Sequence, residues 1–343
     1  MDNVPETGEY NDSRRGMSRT ARSALSSVFA FAAAFCAAYF FGAGYFAPSA
    51  LVFFASSFVM TLVFSHHKNL LFTFVPFVIG YLAVLLPGVD RVLALIAISA
   101  VLLFSATVSV LILRRAEKFY VFLLSSALFF IVFSGLVILL FSGSGVSVTA
   151  AVERIHGSVK AVILEVIKVS EQNGLPAGSV DVGALSVAIT ALAPAAVMIA
   201  SMISSLVFIA LFTLATRIAG TRELLLTGGF TVPRPFAVIY IIVTILSFLT
   251  AVFPDPWSYA VLNIDYVMMA IFAVAGIKSF FRSSGKRRAG SGLVPFLIVA
   301  AVSVFFFGGT AASVIISVMI PVLSYIGAFR SLRPAKGKGS DSI

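Results

Sequence analysis

Long apolar runs, separated by short polar or proline-containing breaks, dominate the sequence. A helix needs about 20 apolar residues to cross the roughly 30 Å hydrocarbon core of a bilayer. The runs therefore predict an all-α fold, a polytopic transmembrane helical bundle. The predicted segments are 24–45, 49–64, 70–86, 92–113, 119–141, 184–215, 236–253, 259–277, 293–307 and 310–328.

The number of crossings depends on the second and third segments, which are short. If both cross, the chain has ten spanning helices; if they form a re-entrant pair, eight remain and the orientation of both ends is unchanged. The sixth segment is long and contains Pro194. Because proline interrupts helix hydrogen bonding, we expect either a kink there or a first part that projects above the bilayer.

Charge and composition support a membrane location. Only 11% of the residues are charged and 60% are hydrophobic, which excludes a soluble globule and a disordered chain. With the N-terminus in the cytoplasm, all but four of the 24 lysines and arginines fall on the inner side, so both termini are predicted to be cytoplasmic. The net charge of +10 therefore indicates orientation across a membrane by positive-inside loops and not nucleic-acid binding. We expect tails at 1–22 and 334–343 around one transmembrane domain, 23–333.

The extracytoplasmic loop 142–183 contains an amphipathic helix. Val152, Ile155, Val159 and Ile163 recur at helical spacing, and charged residues lie mainly on the opposite face. Two interpretations remain open. The helix lies on the membrane surface or caps the bundle, or it is a lid over an outward-facing cavity with hinges at Gly174, Pro176 and Gly178.

An acidic residue inside the eighth segment is the main candidate for chemistry. Asp265 follows Asn263 and precedes Tyr266, about two turns from the outer boundary. A charge at membrane depth costs several kcal/mol unless it is paired or hydrated, so such residues are functional candidates. We predict that Asn263, Asp265 and Tyr266 line an outward-open, ligand-binding polar pocket. The alternative is a shallow aspartate that water reaches.

Small residues on the first segment form a second candidate surface. Ala30, Ala34 and Ala38 recur every four residues, a spacing that allows close helix approach. They pack within the same bundle or form a docking face for a separate membrane subunit.

Catalytic and metal motifs are absent from the sequence. It contains no H-E-x-x-H, no G-x-x-x-x-G-K-[ST] and no G-x-S-x-G, and adjacent His66 and His67 point in different directions on a helix. We therefore expect no enzyme activity, no metal site, no cofactor and no intrinsic ATP hydrolysis.

Several short stretches resemble the YybS-like bacterial membrane proteins, a family of unknown function. They are 193–197 leading to Arg217-Ile218-Ala219-Gly220, the loop 228–233, the helix from Leu262-Asn263 to Gly276, and 326–330. The resemblance covers about residues 22–333. Two positions depart from the family pattern: Ala275 stands where Gln is common, and Ala328 stands where Asp is common.

The resemblance implies a distant similarity to the substrate-binding subunits of energy-coupling-factor transporters. Such subunits bind vitamins or metal ions and dock on a transmembrane coupling protein that carries ATPases. On this basis we expect a substrate-binding membrane subunit of a small-molecule importer, docked through Ala30, Ala34 and Ala38. The alternatives are a non-transporting structural or regulatory membrane protein that organises envelope partners, and an ion-coupled secondary transporter that uses Asp265.

Overall fold

The computed structural model is mainly helical in the part of the chain that it describes. The described residues are 19–67, 86–142, 147–172, 181–219, 221, 224, 226, 230–283 and 318–332. No strand occurs in those ranges. Their helices are α1 (Arg19–Gly42), α2 (Phe46–His67), α3 (Arg91–Leu113), α4 (Lys118–Ser142), α5 (Val148–Gln172), α6 (Val182–Ala191), α7 (Ala193–Ile218), α8 (Arg234–Phe248), α9 (Asp255–Ser283) and α10 (Ile320–Leu332). The predicted all-α polytopic bundle is confirmed.

Six of these helices are long and apolar enough to cross a membrane, namely α1, α2, α3, α4, α7 and α9. The second predicted segment, short in the sequence pattern, belongs to the 22-residue helix α2. The segments 70–86 (except its last residue) and 293–307 lie outside the described residues, as does the first part, 310–317, of the segment 310–328. The described chain divides into two compact units, one within Met1–Tyr45 and Leu51–Ser109, the other within Phe46–Ala50 and Val110–Ile343.

Hydroxyl groups join α2 and α3 in the first unit. Ser105 donates to the carbonyl oxygen of Ser57 at 3.3 Å, and Ser109 donates to that of Thr61 at 3.3 Å. All four side chains are buried. Small hydroxyl residues let two membrane helices approach closely and hydrogen-bond across the contact.

The second unit brings α4 against α7 and α9 against α10. Between α4 and α7, Ser125 and Ser205 share a hydroxyl–hydroxyl hydrogen bond, and Ser205 also contacts the Phe122 carbonyl oxygen at 3.1 Å. Between α9 and α10, the backbones touch at Gly276 and Gly327. A Cβ added at Gly276 would lie 2.7 Å from the carbonyl carbon of Leu323, so only glycine fits this crossing without movement.

The sixth predicted segment is two helices and not one. The short helix α6 ends at Ala191, and α7 begins at Ala193 with Pro194 in its first turn. Proline is tolerated there because the first N–H groups of a helix have no partner within the helix. The expected interruption is therefore a break at Leu192, two residues before the proline.

The predicted amphipathic helix is confirmed as α5, which packs against α4 and α6. Ala151 and Ile163 are buried, whereas Val148, Val162 and Val166 are each about 60% exposed. The suggested hinges Gly174, Pro176 and Gly178 lie outside the described residues. Both interpretations of this helix, surface element and lid, remain open.

Candidate intramembrane polar site

Asp265 lies well inside the membrane span of α9. The span runs from Pro256 to Lys278, so the carboxylate is nine residues from one end and 13 from the other. At 1.5 Å per residue these separations are about 13 Å and 20 Å. The other ionisable Asp, Glu, Lys and Arg side chains in the described spans stand at or close to helix ends. Asp265 is therefore the ionisable side chain that lies far from both ends of a candidate span in this part of the chain.

Thr244 on α8 holds the Asp265 carboxylate. Its hydroxyl donates to Asp265 Oδ1 at 2.8 Å, and the threonine itself is only 8% exposed. Asp265 is half-buried. The Asp265 carboxyl group therefore has one hydrogen-bond donor from a neighbouring helix at this depth.

Tyr240, one turn before Thr244 on the same helix, extends the polar face of α8 to α10. Its hydroxyl contacts the Ser324 hydroxyl at 2.7 Å, and Ser324 in turn donates to the Pro321 carbonyl oxygen at 2.7 Å. The tyrosine ring stacks on Phe272 of α9 with centroids 4.9 Å apart. One face of α8 thus supplies polar contacts to both neighbouring helices.

Asn263 spans the break between α6 and α7. Its Oδ1 accepts the backbone N–H of Ala195 at 2.8 Å, and its Nδ2 donates to the Ala191 carbonyl oxygen at 2.8 Å. Nδ2 also donates to the carbonyl oxygen of Tyr259 within α9 at 2.8 Å. One side chain from another helix therefore satisfies backbone groups that the break leaves without helical partners.

The three predicted ligand-binding residues have different surroundings. Asn263 contacts the α6–α7 break, Asp265 contacts α8, and Tyr266 is 37% exposed. No hydrogen bond joins any two of them in the described part of the chain. Ligand binding by the three together stays a prediction, and the hydrogen bonds of Asn263 give it a structural role.

Thr244, Tyr240 and Ser324 are site residues that sequence reasoning missed. Tyr240 and Thr244 lie four residues apart in an otherwise apolar segment, so they share one helix face. That spacing was a usable signal for a polar contact facing another helix. Ser324 has no comparable pattern around it.

The alanine face of α1 is covered by the chain itself. Ala30, Ala34 and Ala38 are each 0% exposed, and on the same helix the Ala33 carbonyl oxygen accepts a hydrogen bond from Ser56 of α2 at 2.9 Å. This burial agrees with the alternative in which the three alanines pack within the same bundle. Docking of a separate subunit through these alanines stays a prediction, and it would require them to become exposed.

One groove among the described residues of the second unit is apolar. Its lining includes Phe133, Leu136, Val197 and Ala200. Such a lining suits a hydrocarbon chain and offers no group to orient a polar ligand. Among the described residues, no three histidine, cysteine, aspartate or glutamate side chains come together as a metal site would require.

No protein-family model, no curated protein and no solved structure matches the chain.

Proposed function

We propose that this multi-pass membrane protein is a proton-coupled transporter of a small solute in a bacterial cytoplasmic membrane, and that Asp265 is the group that takes up and releases the proton. The observation that carries the proposal is the half-buried Asp265 carboxylate, held by Thr244 near the middle of a span. Proton relays in transporters use intramembrane carboxylates of this kind.

The surroundings of Asp265 favour a proton over a sodium ion. Sodium sites in transporters draw on carbonyl oxygens from unwound backbone and from the ends of broken helices. Around Asp265 the backbone of α9 is continuous helix from Asp255 to Ser283, so its carbonyl oxygens accept helical hydrogen bonds. Thr244 adds one hydroxyl. A carboxylate with one hydroxyl neighbour can exchange a proton without the ligand shell that a metal ion needs.

The break at Leu192 gives further support. Discontinuous helices commonly lie beside the substrate and ion sites of secondary transporters. Here the break is held by Asn263, which is only two residues from Asp265 along α9. A movement of α6 relative to α7 would therefore act on the same stretch of α9 that carries the carboxylate.

Proteoliposomes loaded with a pH-sensitive dye test the proposal. A panel of amino acids, sugars, vitamins and carboxylic acids is added outside, and solute-dependent proton movement is recorded. We expect at least one solute to drive proton movement in the wild type and not in Asp265→Asn. Asp181→Asn is the matched control because Asp181 caps α6 through Ala184 and asparagine is an equally good cap. Equal proton movement by Asp265→Asn and the wild type would contradict the proposal.

A substrate-binding importer subunit is the second candidate. The half-buried Asp265 also fits it, because a carboxylate at membrane depth can bind the cationic or hydroxyl group of a small polar ligand. Purification in mild detergent followed by mass spectrometry separates the two functions. A co-purifying coupling protein with ATPases supports the importer subunit, whereas solute-driven proton movement by the isolated chain supports the transporter. Co-purification of envelope proteins alone, with no solute and no proton movement, would favour a structural role.

A further inference from the structure

Basic side chains collect at one end of the second unit. Helices α4 and α8 begin at this end, and α7 and α9 finish there. Its described basic residues are Arg114, Arg115, Lys118, Arg217, Arg234 and Lys278. Glu117 is the one acidic residue of this end within the described ranges. By the positive-inside rule this basic end faces the cytoplasm.

Two of these cations lie next to one aromatic cluster. The ring of Phe230 packs edge-on against Phe119 at 5.7 Å, and Phe119 directly follows Lys118. Lys278 of α9 reaches the same cluster, since its Nζ lies 3.4 Å from the Phe230 carbonyl oxygen. Lys118 and Lys278 thus flank one aromatic cluster from different helices.

Lys118 and Arg217 carry like charges on two helices that pack against each other, since Lys118 begins α4 and Arg217 lies in the last turn of α7. Lys118 is half-buried. Neither side chain forms an ion pair with a carboxylate in the described part of the chain. Like charges repel each other more strongly where water is excluded, so an anion between the two side chains would lower the repulsion.

We propose that Lys118 and Arg217 bind the phosphate of an anionic phospholipid from the cytoplasmic leaflet. Both residues stand at the limits of membrane spans, where lipid headgroups lie. Leu214, one turn into the membrane from Arg217, is 53% exposed and offers apolar surface to an acyl chain. Tyr120, 48% exposed, lies beside Lys118 at the depth where tyrosines meet headgroups. Cations next to exposed apolar surface fit a lipid better than a free phosphate ion.

Native mass spectrometry of the full-length protein in detergent tests the site. The protein is titrated with dioleoyl phosphatidylglycerol and, separately, with dioleoyl phosphatidylcholine. We expect tighter binding of the anionic lipid, and a loss of about fivefold in affinity for each of Lys118→Gln and Arg217→Gln, because one basic residue near the surface contributes about 1 kcal/mol. Lys160→Gln and Lys168→Gln, exposed on α5, are matched controls and should bind like the wild type.

A charge-conserving double variant, Lys118→Arg with Arg217→Lys, tests whether weaker lipid binding by the glutamine variants comes from misfolding. It should keep the preference for the anionic lipid, and circular dichroism should show wild-type helicity in every variant. Unchanged binding of the anionic lipid by a variant that combines Lys118→Gln and Arg217→Gln would overturn the proposal. So would displacement of the lipid by millimolar inorganic phosphate, which would assign the pair to a soluble anion.

Discussion

Asn263 Oδ1 accepts the backbone N–H of Ala195 at 2.8 Å, which fixes the first turn of α7 to the first third of α9. The same amide group donates to the Ala191 carbonyl oxygen, so the break between α6 and α7 has both of its sides held by one residue. The two helices are thereby positioned by a side chain 68 residues away from Ala195 in sequence.

Removal of this amide should destabilise the fold. We expect Asn263→Ala to lower the free energy of unfolding by about 1–3 kcal/mol, because a backbone donor and a backbone acceptor lose their partner. Thr213→Val is the control, since the Thr213 hydroxyl bonds only within its own helix, to Ile209. Unfolding in mixed micelles by increasing sodium dodecyl sulfate measures both. Equal stability of Asn263→Ala and Thr213→Val would show that the bridge contributes nothing.

The glycine crossing of α9 and α10 should tolerate no added methyl group. We expect Gly327→Ala to cost about 2–3 kcal/mol, because the new Cβ would lie 2.9 Å from the Gly276 nitrogen and force the helices apart. Gly135→Ala on α4 is the matched control, with no atom within 4 Å of the added Cβ. It should be neutral or stabilising by up to about 1 kcal/mol. Thermal melting in detergent compares the two variants.

The serine contact between α4 and α7 can be measured by a double-mutant cycle. We expect Ser125→Ala and Ser205→Ala to show a coupling energy of about 0.6 kcal/mol and at most about 1.7 kcal/mol, the range found for hydrogen bonds between membrane helices. A parallel cycle with Ser204→Ala should give no coupling, because Ser204 bonds to Ala200 of its own helix. Coupling of equal size in the two cycles would contradict a specific Ser125–Ser205 bond.

Thr244 should matter for proton movement through its hydroxyl. We expect Thr244→Val to slow solute-driven proton uptake about tenfold, since a hydrogen bond to a charged group contributes about 1.5–3 kcal/mol. Thr244→Ser keeps the donor to Asp265 and should stay close to the wild type. The dye-loaded proteoliposomes described above report both rates. A slow Thr244→Ser variant would mean that packing, and not the hydroxyl, is what Thr244 supplies.

The orientation can be tested with single cysteines. Cys36 is the one native cysteine, so Cys36→Ser provides the background. We expect Glu165→Cys on α5 to react with an impermeant maleimide on intact cells, and Arg234→Cys at the start of α8 to react only after permeabilisation. Both native side chains are exposed at these positions. The opposite labelling pattern would invert the predicted topology.

Local patterns in the sequence predicted most of the described helices. Apolar length located α1, α3, α4 and α9, and the valine and isoleucine spacing located α5. These signals are contained within each helix, so one sequence is enough to find them.

The contacts between helices were beyond the sequence pattern. Nothing near Pro194 indicates that the break falls at Leu192 or that Asn263 holds it, because the partner comes from a distant helix. Asp265 was identified by its membrane depth, but its neighbour Thr244 depends on how α8 and α9 pack. The alanine face of α1 equally suits internal and external packing, so its burial could not be deduced from spacing.

Helix α8 of the second unit is shorter than the hydrocarbon core of a membrane is thick. Its 15 residues rise about 22 Å, less than the roughly 30 Å of hydrocarbon. Bilayers adapt to such a mismatch by thinning around the short helix, at a fraction of a kcal/mol for each ångström. Thinning brings both aqueous phases closer to Thr244 and so to the carboxylate that it holds. Under the proposed function, a thicker membrane would lengthen the path of the proton between water and Asp265.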